Sequence, residues 1–334
     1  MSRHPLNAWT VNISLAAFTL ILFIASIYIG RGGELLTDKF ALISETDRDI
    51  AWLVLTEIRL PRALLGLLVG ATLGLTGAGL QGLLRNPLAE PGLIGASGGA
   101  ALGAVLVFYS GLAAGTAMFV PVGGILGALA ALAVLCLLAG RNPSIVTIIL
   151  AGVAISAFTG ALTSLALNLS PSPYAALEIV FWMLGSLTDR SMVQVWFVLP
   201  FMGVGWLLVV STYRALDALA LGEDTASTLG FSMRSVTARA IIGTGLAVGA
   251  AVSVTGVIGF VGLVVPHLMR PLVGQRPASL LLPSALGGAA LVLAADILVR
   301  IPVNGPELKI GVVTSLVGAP FFLWLILRTR REAP

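Results

Sequence analysis

"RLPRALLGLLVGATLGLTGAGLQGLLRNPLAEPGLIGASGGAALGAV" (Arg59–Val105) is the stretch that decides the fold. It holds two apolar runs, near residues 62–83 and 94–110, and each approaches the roughly 20 residues that cross a bilayer. Glycines recur at every fourth position in both runs: Gly66, Gly70 and Gly74, then Gly95, Gly99 and Gly103. This spacing gives each helix a face without side-chain bulk, which allows close helix packing in lipid. The stretch therefore predicts two tightly packed transmembrane helices, joined on the inner side by a turn that contains Pro87 and Pro91.

The rest of the chain has the same character. Of its 334 residues, 57% are hydrophobic and only 10% are charged, with a mean hydropathy of +1.02, whereas soluble domains carry roughly 25% charged residues. The sequence predicts an all-α polytopic membrane protein in which residues 1–334 form one domain, with the lipid bilayer as its surroundings. About ten spans are expected, near residues 11–30, 62–83, 94–110, 117–139, 145–168, 192–212, 236–255, 257–271, 279–299 and 310–328.

The distribution of basic residues predicts the orientation. With ten spans and the N-terminus inside, eleven of the 19 Lys and Arg residues fall on inner segments and eight on outer segments. Cytoplasmic segments carry the excess of positive charge in membrane proteins. We therefore expect both termini on the cytoplasmic side.

Several classes of chemistry find no support in the sequence. Neither Lys39 nor Lys309 lies in a phosphate-binding glycine loop, so ATP hydrolysis is not expected of this chain. His4, His267 and the single Cys136 are too scattered to predict a metal or cofactor site, and no basic run interleaved with aromatics indicates nucleic-acid binding. We therefore expect a protein that is not an enzyme.

Asp296 and Arg300 lie four residues apart in the ninth predicted span. This spacing places them on one helix face, where they can form an ion pair. Asp296 is also the one carboxylate in a predicted span that a proton-driven carrier could use. A secondary transporter that works without an ATPase therefore remains the alternative function.

Two further stretches carry a resemblance to a known family: "LALGEDTASTLG" (Leu219–Gly230) and "GVIGFVGLVVPHLMRPLVG" (Gly256–Gly274). Together with Arg59–Val105, and in this order, they resemble the permease subunits of binding-protein-dependent ABC importers for iron chelates, haem and cobalamin, the type II importer permeases. The resemblance implies a ten-helix subunit in the cytoplasmic (inner) membrane of a bacterium. It also implies a homodimer, two ATP-binding cassette subunits on the cytoplasmic face, and a periplasmic or extracellular solute-binding protein. The cargo would be an iron–siderophore, haem or cobalamin, moved by alternating access.

Residues 215–234 lie between the sixth and seventh predicted spans. Gly222 can end one short helix, and Asp224 and Thr225 can cap the next, with hydroxyl groups available to backbone N–H groups. The resemblance implies that this segment is a cytoplasmic coupling segment that contacts the ATPase. The contact residues are then Leu221, Gly222, Glu223, Asp224, Ala226, Leu229 and Gly230.

The resemblance implies two further sites. Arg59, Arg62 and Arg300 match arginines that receive acidic residues of the binding protein, although local ion pairing, such as Arg300 with Asp296, is the alternative. "RNPSIVT" (Arg141–Thr147) resembles the stretch that closes the pore at its inner end. The candidate gate residues there are Asn142, Pro143, Ser144 and Thr147.

Overall fold

The computed structural model describes residues 8–30, 45–116, 118–140, 144–301 and 307–332. The α-helices in these ranges are α1 (Ala8–Tyr28), α2 (Glu45–Leu53), α3 (Leu60–Leu83), α4 (Ala96–Tyr109), α5 (Phe119–Ala139), α6 (Ile145–Asn168), α7 (Pro173–Met183), α8 (Met192–Val210), α9 (Tyr213–Leu219), α10 (Glu223–Thr228), α11 (Met233–Thr255), α12 (Val261–Val273), α13 (Pro277–Arg300) and α14 (Ile310–Glu332). A π-helical turn (Val54–Arg59) joins α2 to α3, and 3₁₀ turns lie at Pro91–Ile94 and Leu112–Ala114.

Each predicted span corresponds to a helix. Within the described ranges, seven helices are long and apolar enough to cross a membrane, and four apolar helices are shorter. The span predicted at 257–271 begins later, at Val261, because Gly256 and Phe260 adopt φ of 70° and 66° and interrupt the helix. The short helix α7 was not among the predicted spans.

The centre of the bundle is the crossing of α3 and α13. A Cβ atom added to Gly74 would lie 1.9 Å from the Ser284 carbonyl oxygen, and one added to Gly70 would lie 2.4 Å from that of Gly288. The two backbones therefore touch directly, as the glycine spacing of α3 predicts. Of the seven long apolar helices in the described ranges, the continuous helix that ends with α3 is the most buried, with 83% of its most apolar stretch inside the protein.

The glycine face predicted for α4 is also a packing surface, and a glycine of α11 packs in the same way. A Cβ atom on Gly103 would lie 2.0 Å from the Gly123 carbonyl oxygen of α5, and one on Gly249 would lie 2.4 Å from the Ala128 Cβ. Helix α5 is thus held between α4 and α11. The predicted proline-containing turn is confirmed as well: the 3₁₀ turn Pro91–Ile94 and Gly95, at φ 78°, reverse the chain into α4.

The two ends of the bundle carry different groups. We call the end that carries α9 and α10 the coupling end; α3 reaches it at Leu83 and α13 leaves it at Pro277. The other end, which we call the arginine end, holds the start of α3 and the last turn of α13, where Arg62 meets Asp296.

Candidate functional site

Most of α9 and all of α10 lie within residues 215–234. Helices α9 and α10 meet at Gly222, whose φ of 117° turns the chain between them. Few residues other than glycine adopt this conformation. The predicted pair of short helices around Gly222 is therefore confirmed.

The capping chemistry predicted for this segment is wrong. Helix α10 begins at Glu223 with Gly222 as its N-cap, so Asp224 and Thr225 lie inside its first turn. The Thr225 and Thr228 hydroxyls donate to the carbonyl oxygens of Leu221 and Asp224, at 3.3 and 2.9 Å. Hydroxyls within a helix commonly donate to the carbonyl oxygen four residues earlier. In the described part of the chain, no side chain caps the backbone N–H groups at the start of α10.

The exposed surface of the segment combines apolar and acidic groups. Leu221 and Leu229 are 72% and 61% exposed, and Glu223 and Asp224 are also exposed. Such apolar side chains in water mark an interaction surface when they lie together. Ala226 is different, because it lies on the inner face of α10 and is fully buried. It packs against the rest of the protein and offers no surface to a partner.

The candidate gate lies partly inside the described chain. Ser144 is the N-cap of α6: its hydroxyl oxygen accepts the Thr147 backbone N–H at 3.0 Å and lies 2.9 Å from the Thr147 hydroxyl. Ser144 also lines a cavity of about 530 Å³ at the coupling end, together with Glu223 and Arg234. Asn142 and Pro143 fall outside the described residues. The geometry thus places Ser144, the N-cap of α6, beside the coupling segment, and Thr147 is hydrogen-bonded to it.

The arginines proposed for docking form an internal charge cluster at the arginine end. Asp296 is completely buried and pairs with two of them: Arg62 donates from Nε to Asp296 Oδ1 at 2.9 Å, and Arg300 donates to Oδ2. The ion pair predicted between Asp296 and Arg300 is therefore confirmed. Arg62 also pairs with Glu307, which accepts a hydrogen bond from Thr188 at 3.3 Å.

The same cluster ties α1 to the bundle. Arg300 donates to the carbonyl oxygens of Ser26 and Ile29 at 2.7 and 2.9 Å, and Arg59 donates to that of Tyr28 at 2.6 Å. These carbonyls belong to the C-terminal end of α1, where the helix dipole attracts cations. The three arginines are 3–9% exposed, so in this conformation their main contacts lie within the chain.

Sequence reasoning missed the role of Gln81. This buried amide lies on α3, where its Oε1 accepts a hydrogen bond from Arg270 of α12 at 2.8 Å. Its Nε2 lies 3.3 Å from the carbonyl oxygens of Ala89 and Leu263. Gln81 thus joins the turn after α3 to α12. The signal in the sequence was a lone amide in the glycine-rich apolar run of α3.

Comparison with known proteins shows which family has this sequence and architecture. Residues 18–328 match the model of the FecCD transport family. The chain is 37% identical over 328 residues to the hemin transport system permease protein HmuU of Yersinia pestis, covering 96% of this chain and 97% of that protein. It is 38% identical to the vitamin B12 import system permease protein BtuC of Vibrio cholerae, covering 98% and 96% of the two chains.

A solved structure has the same fold. It is described as an inward-facing conformation of a metal-chelate type ABC transporter, and it is 32% identical, with a TM-score of 0.82 over 96% of this chain and 99% of that one. The match extends over nearly the whole length, so it includes both ends of the bundle. The chain belongs to the FecCD transport family and is a permease subunit of an ABC transporter.

Proposed function

We propose that this chain forms, as a homodimer in the bacterial cytoplasmic membrane, the pathway by which an ABC importer takes up a bulky metal chelate. Two separate ATPase subunits bind the coupling end on the cytoplasmic side, so both chain termini lie inside. A solute-binding protein delivers the chelate at the arginine end. Hemin and vitamin B12 appear in the names of similar permeases, and we place these cargoes before an iron–siderophore.

The observation that carries this proposal is the coupling segment. It offers two exposed leucines and two exposed carboxylates on and beside the short helix α10 at the coupling end. A transporter driven by a separate ATPase needs such an exposed surface, because the movement of the ATPase must be transmitted to the membrane-spanning helices. Residues 215–234 supply it, and we propose Leu221, Gly222, Glu223, Asp224, Leu229 and Gly230 as the ATPase contacts.

A second element completes the proposed mechanism. Ser144 and Thr147 begin α6 beside the cavity that Glu223 lines. A shift of α10 can therefore be passed to the start of α6 through neighbouring groups. We propose that this region, with Asn142 and Pro143, closes the pathway at the coupling end when the ATPases change their separation.

Uptake by the reconstituted transporter tests the proposal. The chain is placed in liposomes with its cognate ATPase and binding protein, and uptake of hemin, cobalamin and an iron–siderophore is measured. We expect uptake of one chelate that requires ATP and all three proteins. Uptake by the chain alone under a proton gradient would instead support a secondary transporter.

Reversing the charge of Glu223 tests the coupling contact. Because Glu223 is exposed and forms no ion pair within the described chain, Glu223→Arg should leave the fold intact. It should weaken ATPase binding by about 10-fold or more if the side chain lies within the interface. The control is Glu178→Arg, the same change at an exposed glutamate near the arginine end. Equal ATPase binding by both variants would contradict the contact.

The docking proposal leads to a prediction about Glu307. Glu307 already forms an ion pair with the Arg62 guanidinium. An acidic group of the binding protein must therefore displace Glu307 in order to pair with Arg62. Glu307→Gln should therefore raise the affinity for the binding protein about 3- to 10-fold, whereas Arg62→Gln should lower it. Surface plasmon resonance on the chain in nanodiscs measures both values. Glu57→Gln, an exposed change near the same end, is the control, and a lower affinity of Glu307→Gln would refute the exchange.

A further inference from the structure

A small cavity at the coupling end holds two arginines without an acidic partner. It measures about 230 Å³, and its polar lining consists of Arg85 and Arg270 with the amides of Gln81, Asn86 and Gln275. The residues that line it include no carboxylate. Throughout the described ranges, the ion pairs of the structure involve Arg62 and Arg300 instead.

The two arginines differ in burial, because Arg85 is exposed and Arg270 is not. Arg270 is partly buried, and the hydrogen bond that its NH2 group makes goes to the neutral Gln81 amide oxygen at 2.8 Å. Arginine remains charged at any physiological pH, and a cation removed from water without a counter-charge is unfavourable. Arg270 is such a cation, and the exposed Arg85 adds a second positive charge to the same polar cavity. The two charges together favour an anion at this site.

The position of the cavity indicates where this anion comes from. It is lined by the last turns of α3 and α12, the start of α13 and Ala220, which follows α9. It shares Ala220, Gln275 and Pro277 with an adjoining cavity of about 540 Å³ that Leu221 and Leu229 line. The occupant therefore reaches the arginines from the same solvent face as the coupling segment.

The size of the cavity limits the occupant. Sites for small molecules usually measure about 300–1,000 Å³, and this cavity is smaller at about 230 Å³. A carboxylate side chain fits such a space, and its two oxygens match the planar fork of a guanidinium. A protein that already touches Leu221 and Leu229 can supply this side chain.

We propose that an acidic side chain of the ATPase subunit inserts between Arg85 and Arg270, forming a second contact beside the coupling segment. This inference rests on the proposed function, because it requires the ATPase to bind the coupling end. Because Arg270 of α12 donates a hydrogen bond to Gln81 of α3, this contact connects the ATPase to both helices. The ATPase is thereby joined to the core of the bundle as well as to α9 and α10.

Binding measurements with arginine variants test this proposal. The chain in nanodiscs is titrated with its cognate ATPase at low and high salt. We expect Arg85→Gln with Arg270→Gln to raise the Kd by about 10- to 100-fold at low salt, as for the loss of charge-assisted hydrogen bonds. The dependence of the Kd on salt should also become weaker, and Arg270→Lys should retain most of the affinity. The control is Arg239→Gln, whose side chain donates to Ser211; it should bind as the unaltered chain does.

The outcomes separate this inference from the proposed function. If Glu223→Arg impairs ATPase binding and the double arginine variant does not, the acid contact is refuted while the coupling segment stands. Failure of the unaltered chain to bind the ATPase refutes both. A photo-crosslinking amino acid at Asn86 should label the ATPase in the assembled complex. Labelling of lipid alone would overturn the proposal in favour of a headgroup site, and this test does not depend on the folding of the arginine variants.

Discussion

Replacing Asp296 with Ala is expected to lower the free energy of unfolding by about 3–5 kcal/mol. Asp296 is fully buried between Arg62 and Arg300, which are 9% and 3% exposed. Its removal leaves Arg300 without an acidic partner in the described chain and leaves Arg62 with Glu307 alone. A buried charge without its partner costs far more than an exposed ion pair contributes, since water cannot replace the lost interaction.

Denaturant unfolding of the purified chain in detergent, followed by circular dichroism, measures this effect. Asp296→Asn should be less damaging, about 2 kcal/mol, because the amide oxygen still accepts one hydrogen bond from an arginine. Asp49→Asn, the same change at an exposed carboxylate of α2, is the control and should lie within about 0.5 kcal/mol of the original chain. An equally small effect for Asp296→Ala would show that the cluster does not hold α3 and α13 together.

Features that depend on neighbours along the chain could be predicted from the sequence. The spans follow from apolar runs, the packing faces from glycines four residues apart, and the Asp296–Arg300 pair from its helical spacing. The two helices around Gly222 belong to the same class, because a glycine at positive φ sets the local turn. Each of these signals lies within one helix or one turn and does not depend on which helices are neighbours.

Features that depend on tertiary packing could not be predicted in this way. Arg62 meets Asp296 across 234 positions of sequence, and no local pattern in either stretch marks the other. The burial of Ala226 and the role of Gln81 likewise depend on which helices are neighbours. The docking arginines show the consequence: the sequence indicates charged groups near one end of the bundle, but only the fold shows that Asp296 and Glu307 already occupy them.

The crossing of α3 and α13 gives the second large prediction, for Gly74→Ala. The added Cβ atom would lie 1.9 Å from the Ser284 carbonyl oxygen and 2.8 Å from its carbon. Both are backbone atoms, so no side chain can rotate away and the two helices must separate. The favourable helix propensity of Ala, about 1 kcal/mol over Gly, cannot offset this. We expect a loss of stability at or above the upper end of the usual range for overpacking, about 1–3 kcal/mol.

A matched substitution distinguishes this steric effect from a general sensitivity of membrane helices to alanine. Gly203 lies within α8, and a Cβ atom added there would meet nothing within 4 Å. Gly203→Ala should therefore be neutral or slightly stabilising, by up to about 1 kcal/mol. Both variants are compared by their yield in membranes and by their thermal unfolding in detergent. If Gly74→Ala unfolds at the same temperature as Gly203→Ala, the two backbones are not in direct contact, and the helix crossing at the centre of this fold must be looser than described.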